Sequence, residues 1–110
     1  MLAAVDIGNT NIVIGLYDGD HLASQFRLAT HATTPADEYA ALLESTLRLS
    51  GMRFADITGL ALGSVVPDLT PVFEDIGRRF LQCPMVTITA ETPTGIEVAY
   101  HPPADVGSDR

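Results

Sequence analysis

At 110 residues with 46% hydrophobic, the chain is long enough for one globular core and too short for two comfortable domains. Fourteen acidic residues against six basic ones give a formal charge of −8, which repels nucleic-acid phosphates and anionic headgroups, so neither nucleic acid nor a membrane is an expected partner. Any phosphate ligand must be held locally, by backbone N–H groups, a bound cation or a placed Arg.

Residues 2–7 are an apolar run rich in Ala and Val that ends at Gly8-Asn9, and residues 11–17 resume as apolar and β-branched, which predicts a hairpin. A turn at Asp18-Gly19-Asp20 leads into residues 22–29, whose near alternation predicts a third antiparallel strand. Thr34-Pro35-Ala36-Asp37 reads as a helix start, with a capping hydroxyl, Pro at the first helical position and an acid three residues after the cap. Tyr39, Leu42, Leu43, Thr46 and Leu47 then recur at helical spacing, and Gly51 closes the helix. Ile57 to Val66 predicts a buried strand stopped by Pro67. Thr70-Pro71 opens a second helix with Val72, Phe73, Ile76 and Phe80 as its apolar stripe. Met85 to Ile88 predicts a short strand. The stretch from Thr92 to Arg110, with three prolines and two glycines, reads as an ordered loop in which only Glu97 to Tyr100 looks extended. Three antiparallel strands followed by helix, strand, helix, strand predict an α/β fold with a sheet of mixed direction and covering helices.

The single Cys83 excludes an internal disulfide and has no metal-binding spacing around it, which fits a reducing cytoplasm. The start, Met1 to Asp6, lacks the basic region of a signal peptide, and no stretch approaches the roughly 18 apolar residues of a spanning helix. A soluble, untargeted protein is expected.

Asp6-Ile7-Gly8-Asn9-Thr10-Asn11 sits where the first strand hands over to the second. A plain polar hairpin turn accounts for much of it, since Gly and Asn tolerate positive φ and Thr and Asn satisfy their own backbone. Two details go further. An ionised Asp6 at the end of an apolar strand calls for a cation or strong donors, and Mg²⁺ is one such cation. Four small polar residues in succession also let backbone N–H groups approach an anion closely. Asp6, Gly8, Asn9, Thr10 and Asn11 are therefore a candidate phosphate cradle with Asp6 as candidate metal ligand. The segment is neither a P-loop, lacking the Gly-Lys-Ser/Thr ending, nor a dinucleotide fingerprint.

The same segment resembles the first phosphate motif of the sugar kinase, heat-shock chaperone and actin superfamily, and its wording is that of type III pantothenate kinases. Thr34 to Tyr39, Gly63-Ser64-Val65-Val66-Pro67 and Thr94-Gly95-Ile96 resemble further family segments in order, although each alone reads as a cap, a strand terminator or a turn. Tyr100-His101-Pro102-Pro103-Ala104-Asp105-Val106-Gly107-Ser108-Asp109-Arg110 is similar to the family's Tyr-x-Asn-Pro-x-Glu-Val-Gly-Ala-Asp-Arg. It departs at the Asn position, at Asp105 for Glu and at Ser108 for Ala.

The resemblance implies a ribonuclease-H-like (actin-like ATPase) domain over residues 1–110, ending at the substrate motif and followed in the family by a second such domain that this chain lacks. It also implies transfer of the γ-phosphoryl group of ATP to pantothenate, with Mg²⁺ and a monovalent cation, K⁺ or NH₄⁺, whose ligand lies in the second domain. Asp109 takes the family's general-base position, while Tyr100, Gly107, Ser108 and Arg110 join it in lining the pantothenate site. A homodimer is expected for the longer protein. Two rivals stay open: another kinase or phosphohydrolase of the superfamily, and a non-catalytic nucleotide-binding or regulatory module.

Overall fold

Ala3, Val5 and Ile7 alternate with Leu2, Ala4 and Asp6, and that period of two makes the first strand, β1 (Leu2–Ile7), a ribbon with one buried and one open face. β2 (Asn11–Asp18) and β3 (His21–Ala29) follow antiparallel, and Gly19, at φ +62, makes the two-residue turn between them. The computed structural model describes residues 1–92 and 95–102, without the side chains of 90–92 and 97.

Helix α1 (Ala36–Leu49) crosses to β4 (Gly59–Ser64), α2 (Thr70–Ile76) crosses to β5 (Met85–Thr92), and β6 (Gly95–His101) returns antiparallel along the edge. The sheet order is β3-β2-β1-β4-β5-β6, with β1, β4 and β5 parallel. Both helices cover one face. Ile7, Ile12, Ile14, Leu16 and Leu62 from the strands are buried with Tyr39, Leu47, Phe73 and Ile76 from the helices in a single core. Tyr39 and Phe73 meet across it at 5.0 Å between ring centroids. Cys83 is buried there as a free thiol, and burial pushes its pKa up.

The predicted mixed sheet is present, and several boundaries move. Helix α1 starts one residue later than expected: Pro35 is the N-cap, extended at φ −71 and ψ 161, with no side-chain capping bond. Its carbonyl instead accepts from the N–H groups of Glu38 and Tyr39, and Asp37 pairs with Arg79 at 2.7 Å. The buried stripe is Tyr39, Ala40, Leu43 and Leu47, while Leu42 is exposed, because a single sheet face takes a narrower arc of a surface helix than the sequence offers. At the other end Gly51, at φ +73, donates to the Arg48 carbonyl and Met52 to that of Leu47, closing the helix as a Schellman motif. Ile57 and Val66 are buried but lie outside β4. The largest change of bounds is at β5 and β6: the extended stretch expected at Glu97 to Tyr100 is present but runs from Gly95 to His101, and β5 continues past Ile88 to Thr92 to meet it. Pro102, which has no N–H to give a ladder, follows directly on the last residue of β6.

Candidate functional site

The C-terminal ends of parallel strands are where an open α/β sheet leaves room for ligands, and the chain's polar turn lies at that end of β1. Asp6 pairs with Val13 on β2 and Gly63 on β4 and points onto the face that no helix covers. A Cβ on Gly63 would stand 3.8 Å from Asp6 Oδ1, so the absent side chain leaves the carboxylate open on that flank. Among the described residues Asp6 has no hydrogen-bond or ion-pair partner.

Gly8 donates its N–H to the Asn11 carbonyl at 2.9 Å and closes the turn. Its φ is not positive. The need for glycine is steric, since a Cβ would lie 3.1 Å from the Asn11 oxygen. Asn9 and Thr10 are exposed, and Asn11 Nδ2 donates to Thr10 Oγ1 at 3.2 Å. No hydrogen bond within the chain, among the described residues, uses the Asn9 or Thr10 N–H. Two exposed residues with unspent backbone donors beside an unpaired carboxylate can receive an anion together with its cation.

Two neighbouring segments support the turn, and neither was marked as functional by the sequence. Thr30, just past β3, donates its hydroxyl to the Gly8 carbonyl at 2.8 Å and its N–H to the Thr10 carbonyl at 3.1 Å. On the other side Val65 donates to the Ile7 carbonyl at 3.1 Å, and the loop after β4 is folded by the buried Ser64 hydroxyl, which accepts from Val66 N–H at 3.1 Å and from Thr70 Oγ1 at 2.8 Å. Gly63 to Pro67 thus acts as a strand terminator, as its sequence suggests. Thr30 gave no sequence signal because its partners lie about 20 positions away.

Asp6, Gly8, Asn9, Thr10 and Asn11 come together. Tyr100 does not join them. It stands on the same open face but on β6, where the register Tyr100–Val86–Ala61–Ala4 puts it three strands across, about 14 Å by strand spacing, and one pleat back from the Asp6 row. There it lines a shallow apolar groove with Leu2, Ala61 and Val86. His101 Nε2 lies 3.3 Å from Glu74 Oε2, where the end of β6 meets α2. Thr94, Gly107, Ser108, Asp109 and Arg110 lie outside the described residues.

The family model for type III pantothenate kinase matches residues 2–110. The chain is 38% identical over all 110 of its residues to a type III pantothenate kinase of Geotalea daltonii, 39% to one of Roseiflexus castenholzii and 38% to one of Brevibacillus brevis. It spans 43% of the length of each of these relatives.

Proposed function

The chain belongs to the type III pantothenate kinase family, whose fold is actin-like, and on that premise we propose that it is the amino-terminal, phosphate-binding domain of an enzyme that phosphorylates pantothenate with ATP, the first step towards coenzyme A. The observation that supports this most is Asp6 unpaired on the open sheet face, next to a turn with free backbone donors. Phosphoryl transfer asks for positioning and charge neutralisation more than for covalent chemistry.

In this reading Gly8, Asn9, Thr10 and Asn11 cradle the ATP phosphates, and Asp6 holds Mg²⁺ directly or through water. The donor set fits that ion: Mg²⁺ takes one or two carboxylates, keeps several waters and completes its shell with phosphate oxygens. Among the described residues no three Asp, Glu, His or Cys side chains gather into an all-protein cage, so a metal carried in by its nucleotide is the better match. When bound, Mg²⁺ neutralises charge on the phosphates. Asp109 accepts the proton of the pantothenate hydroxyl, while Arg110 and Tyr100 orient the substrate beside Gly107 and Ser108. A second domain contributes the adenosine pocket, the ligand for K⁺ or NH₄⁺ and much of a homodimer interface, and the enzyme works in the cytoplasm.

Two variants of the full-length kinase test the two halves of the site. Gly8→Val drives a branched side chain against the Asn11 carbonyl and fills the approach to the turn, so nucleotide binding is expected to be lost. Asp109→Asn is expected to bind pantothenate while turnover falls by roughly 10²–10⁴. Unchanged ATP affinity in the first variant removes the turn from the site, and near-normal kcat in the second reassigns Asp109 to helix capping.

A further inference from the structure

Each carbonyl in a planar trans peptide points opposite to the N–H of the following residue, so whatever holds the carbonyl aims the donor. In the Gly8 turn that holder is Thr30. Its hydroxyl donates to the Gly8 carbonyl at 2.8 Å, and its N–H donates to the Thr10 carbonyl at 3.1 Å. With the Gly8 carbonyl turned towards Thr30, the Asn9 N–H is turned away from it, and it has no partner among the described residues.

Thr30 is itself fixed from the core. Tyr39, fully buried on α1, accepts the His31 N–H at its hydroxyl oxygen at 2.9 Å, and that hydroxyl faces the carbonyls of His31 at 3.2 Å and Ala29 at 3.4 Å. The residues on both sides of Thr30 are thereby anchored to a core side chain that also packs at a tilt against Phe73. A turn of small polar residues with exposed donors has many conformations open to it, and each one lost before binding is a cost that binding does not have to meet.

We infer that Thr30 is a positioning residue for the phosphate turn, holding the Gly8–Asn9 peptide in the orientation that presents its N–H to an anion. The inference rests on the proposed phosphate role of the turn. Thr30 acts through Gly8 and Thr10, whose carbonyls it holds.

The test compares Thr30→Val, which keeps the shape and loses the hydroxyl donor, with Thr30→Ser, which keeps the donor, in the full-length kinase. Thr30→Val is expected to raise KM for ATP by about three- to tenfold, the range of one net hydrogen bond, and to leave KM for pantothenate within twofold. Thr30→Ser is expected to restore KM for ATP to within twofold of the parent. ATP affinity by titration and Tm are read alongside. Unchanged KM for ATP in Thr30→Val, or both KM values rising together with a fall in Tm that Ser does not rescue, overturns the inference. Gly8→Val separates the layers. Lost ATP binding there with no effect of Thr30→Val defeats the positioning role alone, whereas ATP binding that survives Gly8→Val defeats the phosphate reading and the inference with it.

Discussion

Along β1 the side chains of Ala3, Val5 and Ile7 enter the core and that of Asp6 goes the other way, so its charge stays in water and costs the fold little. Asp6→Asn keeps the size and removes the charge. In the full-length kinase its stability is expected to stay within about 0.5 kcal/mol of the parent, since no contact among the described residues is lost. Affinity for Mg·ATP at limiting Mg²⁺ is expected to fall by about ten- to a hundredfold, as for a disturbed metal shell. Thermal unfolding and ATP titration at fixed Mg²⁺ check the two halves. A large drop in Tm with Mg·ATP affinity intact assigns Asp6 to structure instead. The sequence singles out Asp6 by the cost of a charge ending an apolar strand, and that reason lapses because the side chain is exposed; the polar turn was legible because a polar tetrad is a local pattern. Thr30 was not, because its role exists only once β3 has folded back beside β1 and β2. Gly8 was legible for a partly wrong reason: it needs no positive φ, only the room that a Cβ would take from Asn11.

At the scale of elements, the segment after α2 shows how the sheet governs local winding. A Cβ on Gly77 would fall 2.8 Å from Met85 Sδ and 3.0 Å from Leu60 Cδ2, so glycine lets this backbone press directly on β4 and β5. The chain widens there into a π turn over Gly77–Leu81, closed by the Gln82 N–H on the Gly77 carbonyl at 2.7 Å. Gln82 ends it in the left-handed region, at φ 52 and ψ 47, which an L side chain adopts only at a cost. Its own side-chain bond, Nε2 to the Arg79 carbonyl at 3.5 Å, is long and exposed and offsets little of that. Gln82→Gly is therefore expected to stabilise the chain by about 0.5–1 kcal/mol, the strain relieved less the greater freedom of unfolded glycine. Chemical denaturation checks it, and a lower midpoint refutes the account. The same dominance of tertiary context explains which elements were misread. Thr34-Pro35-Ala36-Asp37 has the letters of a capping box, yet Asp37 pairs with Arg79 across the helices. Pro- and Gly-containing flanks hid the ends of β6, which pairing with β5 adds to the Glu97–Tyr100 stretch that composition marks.

For the whole molecule the decisive feature is that both helices lie on one side of the sheet. The other face carries Leu2, Ile88, Val98 and Tyr100, with Val98 and Tyr100 each 64% exposed, in adjoining rows running from β1 to β6. A contiguous apolar surface of this kind is unusual on a lone soluble domain and favours association. Against it stands the charge of −8, which makes two copies repel. Salt decides between them, because the Debye length shrinks from about 30 Å at 0.01 M to about 8 Å at 0.15 M while apolar burial is not screened. The purified 110-residue chain is therefore expected to be mostly monomeric at low ionic strength and to self-associate as NaCl rises, with Val98→Lys on the edge strand of that face suppressing the association. In the same preparation pantothenate-dependent ATP turnover should be far below that of a full-length relative. Under the proposed division of the site the adenosine pocket and opposing wall lie in the second domain, and an open, wet cleft weakens every charge interaction that phosphoryl transfer depends on. Sedimentation velocity across a salt series, with a coupled kinase assay on each fraction, reads both outcomes. Association that weakens with salt points to ion pairs rather than the open face as the cause, and turnover matching the full-length control shows that one domain holds the complete site.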